Sequence, residues 1–221
     1  MEVWFRHPQH YLVHKMKNPR FAKFALLVNG LVPGAMLMWD NYWHQLGANP
    51  VDRAIHVTGL TALTFLVLTL TVTPLRKISG WNWLSHFRRM LGLFAFFYAL
   101  AHFSIYFFLE RQLSVSAVVL DVIQNNFILF GMIALVLMVP LALTSTNASI
   151  KRLGAARWKR LHELVYVSAI CAGMHYAMFG KLVGWQALID GYHLKQTAFI
   201  AIIAILLLYR LVRKTAATTG H

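Results

Sequence analysis

The sequence predicts an all-α fold: a polytopic membrane protein built as a six-helix transmembrane bundle. Three observations predict it. Hydrophobic residues make up 58% of the chain and charged residues only 13%, about half the share of about 25% usual in soluble domains. Apolar runs long enough to cross a ~30 Å hydrocarbon core at ~1.5 Å per residue recur six times. The charged residues lie in clusters between these runs.

The first span is 21–39. It follows a basic, aromatic segment, as a signal peptide would, but no small-residue cleavage site is present and five more spans follow, so it is expected to be retained. The second, 55–73, carries Thr58, Thr61, Thr64, Thr69, Thr71 and Thr73, whose hydroxyls are expected to bond back to their own helix. The third, 88–109, opens on Arg88 and Arg89 and contains His102. The fourth is 127–143, the fifth 160–179 with His162 and His175, and the sixth 195–212. Three parts result: a cytoplasmic segment 1–20, a transmembrane domain 21–212 and a cytoplasmic tail 213–221. No internal repeat or soluble domain stands out. The single cysteine, Cys171, falls inside a span and reads as a small core residue.

Charge sets the expected orientation. With the N-terminus in the cytoplasm, 17 of the 21 Lys and Arg residues fall inside, leaving Arg53, Arg111, Lys181 and Lys195 outside. Both termini are thus expected in the cytoplasm. The net charge of +14 reflects topology and attraction to anionic membrane lipid; it is no nucleic-acid footprint. The outer loops, with Asp40, Asp52, Glu110, Asp121 and Asp190 against those four cations, are nearly neutral.

Eleven histidines occur, and most fall in loops or termini. His56 marks the outer start of the second span, while His102, His162 and His175 lie within spans, where imidazoles are expensive and usually functional. The third and fifth spans run parallel. His102 lies 14 residues beyond Arg88 and His175 lies 13 beyond His162, advances of about 21 and 20 Å. Alignment by depth therefore pairs His102 with His175 in the outer half and Arg88 with His162 near the inner edge. Two imidazoles at one depth on neighbouring helices suit axial ligation of a heme iron from opposite sides. On a straight helix His162 and His175 point ~140° apart, so the fifth span either has partners on two sides or is distorted, with Gly173 a candidate for the distortion. Gly92, Ala95, Ala99 and Gly173 are small enough to admit a flat cofactor. Glu163 is expected to pair with a basic neighbour.

The segments "LGANPVDRAIHVTG", "TVTPLRK", "RRMLGLFAFFYALAHFSIY", "LALTST" and "WKRLHELVYVSAICAGMHY" together resemble the MsrQ (YedZ) family, within the ferric reductase-like transmembrane domains. The resemblance covers roughly residues 20–212. It implies heme b, with His102, His162 and His175 as the matching heme histidines, and it associates FMN with the family. It also implies electron delivery to a periplasmic molybdenum-containing methionine sulfoxide reductase that repairs oxidised periplasmic proteins. The wider superfamily carries a second histidine where this chain has Arg88, a departure that leaves the inner position without the partner a second bis-histidine heme needs. No G-x-G-x-x-G strand–turn–helix unit is present. Electrons are expected from the quinone pool or a separate cytoplasmic flavin reductase. The cofactor-binding candidates are His102, His175, His162, Arg88 and His56, the first three as metal ligands, and no residue stands out as catalytic. This makes the chain an electron-transfer subunit. A proton-coupled transporter using the four span histidines as a relay remains an alternative, as does a structural anchor.

Overall fold

The computed structural model describes residues 19–182 and 192–218. The N-terminal segment through Asn18, with His7, His10 and His14, lies outside the described residues, as do Asp190 and His221. The described residues are helical and contain no strand. The helices are α1 Pro19–Tyr42, α2 Pro50–Ser79, α3 Arg88–Ile105, α4 Val115–Gln124, α5 Asn126–Leu143, α6 Asn147–Leu153, α7 Ala155–His162, α8 Leu164–Leu182 and α9 Tyr192–Thr218. By length and composition α1, α2, α3 with its following turn, and α5 can each cross a membrane. The fifth predicted span, 160–179, takes in the end of α7 and most of α8, and the sixth falls within α9, whose apolar stretch is the shorter Ala198–Arg210.

Helix ends follow local chemistry. At the start of α2, Asn49 accepts a hydrogen bond from the Asp52 N–H at 3.2 Å, with Pro50 in the first turn. The helix stops at Gly80, whose left-handed φ of 75° lets its N–H bond back to Arg76 O. Thr58, Thr61, Thr64, Thr69 and Thr71 each donate to the carbonyl four residues earlier, as expected. In α1 the Tyr98 hydroxyl accepts from Gly34 N–H at 2.9 Å and donates to Gly30 O at 2.8 Å. A side chain from α3 thus bridges the α1 hydrogen-bond ladder beside Pro33.

The core runs along the middle of α2. Leu66 and Leu70 are almost wholly buried and pack with Leu91 and Ala95 of α3, Met138 and Leu141 of α5, Ala169 of α8, and Ile203 of α9. The most extensive interfaces join α2 to α3 and α5 to α8, forming two helix pairs around a common seam. The opposite faces expose large apolar side chains such as Met38, Ile78, Phe97 and Leu143, an arrangement suited to lipid and not to water.

Three expectations need correction. The fifth span is not one helix. Its hydrogen bonding is interrupted at Glu163, where the Glu163 N–H is shared between Lys159 O and Arg160 O and Tyr166 N–H reaches back to Glu163 O at 3.0 Å. His162 therefore ends α7 while His175 sits on α8, and the two line different cavities, so they need not share one face. The distortion lies at Glu163 and not at Gly173, where an added Cβ would meet Ile203 of α9 at 3.4 Å; that glycine serves helix packing. Glu163 itself is exposed and forms no ion pair with a described residue.

Candidate functional site

Two cavities open inside the bundle. The outer one lies among α2, α3, α5 and α8, at the end predicted to face away from the cytoplasm, with a volume of about 340 Å³. His102 and His175 face each other across it, with ring centroids 6.0 Å apart and planes at 82°. His56 lines the same cavity, its ring 5.6 Å from that of Phe179.

Each facing histidine is anchored in the same way. His102 Nδ1 lies 2.8 Å from Ile55 O on α2, and His175 Nδ1 lies 2.6 Å from Phe127 O on α5. A carbonyl only accepts, so Nδ1 carries the proton in each ring and Nε2 keeps its lone pair. This is the tautomer that a metal-ligating histidine needs, held by an outer partner.

Glycines make the anchors accessible. Gly59 stands four residues after Ile55, and Gly131 four after Phe127. A helical side chain leans toward the preceding turn, so any side chain there would cover the carbonyl. A Cβ at Gly59 would lie 2.8 Å from His102 Nδ1, and one at Gly131 would lie 2.8 Å from His175 Nδ1. The device is used twice, once in each helix pair, with histidine and carbonyl 47 and 48 residues apart. Sequence reasoning missed both glycines. Their similar spacing to the two histidines was the available signal.

The donor set fits a heme. Two metal–nitrogen bonds of about 2 Å each, plus the two half-rings between nitrogen and centroid, span about 6 Å. Among the described residues no three His, Cys, Asp or Glu side chains converge on one point. A metal between these imidazoles therefore needs equatorial ligands of its own, as porphyrin iron has.

Comparison with known proteins places the chain in a family. Residues 58–173 match the family model described as ferric reductase like transmembrane component. The Brucella ovis and Brucella suis proteins named protein-methionine-sulfoxide reductase heme-binding subunit MsrQ are each 44% identical over 202 residues, 90% of this chain and 87% of theirs. The chain belongs to the MsrQ family. The match to the ferric reductase model includes His102 and His162 and stops two residues short of His175.

The inner cavity of this MsrQ-family chain, about 310 Å³, brings Arg88 and His162 together with Arg89, Trp158 and Lys159. It is built differently from the outer one. The Thr144 hydroxyl donates to Pro140 O at 2.6 Å, and Thr144 Oγ1 lies 3.1 Å from His162 Nε2. A hydroxyl has one proton to give. His162 Nε2–H must therefore be the donor, which leaves the lone pair on Nδ1, the reverse of the outer pair. The His162 ring stacks on Trp158 at 4.0 Å, and Trp158 in turn donates from Nε1 to Thr144 O at 2.9 Å. Thr144 and Trp158 were also missed from sequence, because their role depends on how α7 folds back onto the end of α5.

Leu66 and Met138 line both cavities, and both are buried. They form an apolar septum between the outer cavity, with His56, His102 and His175, and the inner one, with His162. Protons need a chain of polar groups, and Leu66 and Met138 offer none.

Proposed function

We propose that this chain is a transmembrane b-type cytochrome. It carries electrons from the quinone pool or a cytoplasmic flavin reductase to a periplasmic molybdenum-containing methionine sulfoxide reductase. The observation that carries this reading is the pair of carbonyl-anchored imidazoles 6.0 Å apart with both Nε2 atoms turned to ligation. The names of the Brucella relatives support the heme and the methionine sulfoxide reductase partner.

Heme supplies one-electron chemistry, and the protein supplies ligands, spacing and a dry path. His102 and His175 hold the iron. Leu66 and Met138 keep water out of the path between the cavities. The inner cavity is the entry side. Arg88, Arg89 and Lys159 give it positive charge, and the His162–Trp158 stack gives it a flat aromatic wall. A quinone headgroup or the FMN of the family resemblance, with acceptor oxygens and an aromatic ring, suits those groups. The location is the bacterial inner membrane, with six crossings and both termini cytoplasmic, because the basic residues collect at the inner end.

The whole reading is tested in oriented vesicles. The heme is reduced, and the molybdenum reductase with methionine sulfoxide is added to one side at a time. Heme oxidation is expected only from the periplasmic side. Oxidation only from the cytoplasmic side would reverse both the topology and the direction of flow.

A second test concerns the inner cavity. His162→Ala is expected to slow reduction by the inner-side donor at least tenfold while leaving the low-spin spectrum of the outer heme unchanged. Arg88→His alone is expected to add no low-spin heme, since Thr144 holds the wrong nitrogen of His162. Arg88→His combined with Thr144→Val is expected to add it. A second low-spin heme in the Arg88→His single variant would refute the assigned tautomer.

A further inference from the structure

The outer cavity is polar at one end only. Its inner end is closed by Leu63, Leu66, Ala95, Ala134 and Met138, all buried. Its outer rim carries Asn49, Asp52, Glu110 and Arg111. A macrocycle with two carboxylates on one edge has to place that edge at the rim, because an ionised carboxylate in the apolar end would have no partner. Two of the rim groups, Asp52 and Glu110, repel it. Among the described residues lining the cavity, Arg111 is the only guanidinium or ammonium group.

Arg111 is also held in place. Its Nε lies 2.5 Å from Asp121 Oδ2 on α4, the only ion pair among the described residues. The Tyr106 hydroxyl donates to the same carboxylate oxygen, and the guanidinium lies 5.6 Å from the Tyr106 ring centroid. A guanidinium has five N–H donors, and its contacts with the described residues engage Nε alone. The terminal nitrogens remain for a second anion.

The backbone around Arg111 is unusual in a way that serves this placement. α3 ends in a π-helical turn, Tyr106–Glu110, closed by Arg111 N–H to Tyr106 O at 2.9 Å. Two non-glycine residues, Gln112 and Leu113, then adopt left-handed φ values of 49° and 65°. Residues with a Cβ rarely adopt this conformation, and π turns of this kind gather at functional sites. Together they reverse the chain into α4 so that Asp121 reaches Arg111 while Arg111 still lines the cavity.

We propose that Arg111, positioned by Asp121 and Tyr106, binds a propionate of the heme held by His102 and His175 and raises its reduction potential. The inference rests on the heme reading above. The sign follows from charge: the ferric state is the more positive, so a nearby guanidinium disfavours it.

The test is redox titration of the heme in purified full-length protein, with resonance Raman bands of the propionates as a second readout. Arg111→Gln is expected to shift the ferric/ferrous equilibrium about tenfold toward ferric, or ~59 mV for one electron, with the low-spin ligand spectrum intact and the propionate bands moved. Arg111→Lys is expected to restore at least half of that shift. Wild-type protein reconstituted with heme dimethyl ester keeps the arginine and loses the propionate charge. With that ester Arg111→Gln is expected to change the potential less than half as much as with ordinary heme, because the propionate that holds the guanidinium at the heme edge is neutralised in both proteins. Unchanged potential and unchanged propionate bands in Arg111→Gln would overturn the assignment, as would an equal Arg111→Gln effect on both hemes. If the wild type itself lacks low-spin heme lost on His102→Ala, the heme reading fails; if it has that heme and Arg111→Gln is silent, only the propionate assignment fails.

Discussion

Replacing His102 or His175 by alanine is expected to abolish low-spin heme in the purified protein. Both imidazoles are needed because each supplies one axial nitrogen, and among the described residues no group of three His, Cys, Asp or Glu side chains converges on one point to replace either of them. Each loss also removes the ring N–H that Ile55 O or Phe127 O accepts as a second hydrogen bond. Both carbonyls retain a helical partner, so neither is left unsatisfied and the helices are expected to survive. Heme content by pyridine hemochrome and helix content by circular dichroism separate the two effects. Full heme content with a wild-type spectrum in both single variants would remove these residues from the site. The ring planes carry a further signature. At 82° they are nearly perpendicular, so the wild-type ferric heme is expected to give the highly anisotropic low-spin EPR signal of crossed axial imidazoles. A normal rhombic signal would mean that one ring turns and gives up its carbonyl.

The depth match between His102 and His175 was legible in the sequence because a helix is a ruler: residue count converts to height without knowledge of neighbours. For the same reason Arg88 and His162 could be put at one level. What could not be read was anything set by azimuth or by a turn. The hydropathy of 160–179 runs on through Glu163, so nothing marked the interruption that puts His162 on α7. The short helices α4, α6 and α7 lie in loops where no apolar run of spanning length exists, and α4 is what brings Asp121 to Arg111. The backbone carbonyls of Ile55 and Phe127 have no sequence signature at all. A carbonyl is present at every residue, and only the absence of a side chain one turn later makes one available.

That absence leads to the second large effect. Gly59→Ala and Gly131→Ala are each expected to reduce bound low-spin heme at least tenfold, although neither residue touches the iron. In a lone helix alanine is the better residue by about 1 kcal/mol, so each substitution should stiffen its own helix. The harm is across the interface. The added methyl would sit 2.8 Å from Nδ1 and 2.9 Å from Cε1 of His102 at position 59, and 2.8 and 3.0 Å from the same atoms of His175 at position 131. Those atoms belong to a rigid ring, so the ring cannot yield at one end only. It has to withdraw as a whole, which stretches the Nδ1–H···O=C bond and moves Nε2 off the axis it shares with the opposite imidazole. Ligation tolerates little of this, since axial distance and tautomer both depend on the same anchor. The expected pattern is specific: lower heme content, a spectrum shifted toward high spin as one ligand lets go, and unchanged or slightly higher helical content by circular dichroism. Gly92→Ala is the control. Its Cβ would meet only Thr69 at 3.7 Å, an ordinary contact, and it is expected to leave the outer heme intact. If Gly59→Ala and Gly131→Ala load heme as fully as Gly92→Ala does, then the carbonyl seats do not hold the ligands, and the tautomer that makes His102 and His175 a matched pair must be fixed some other way.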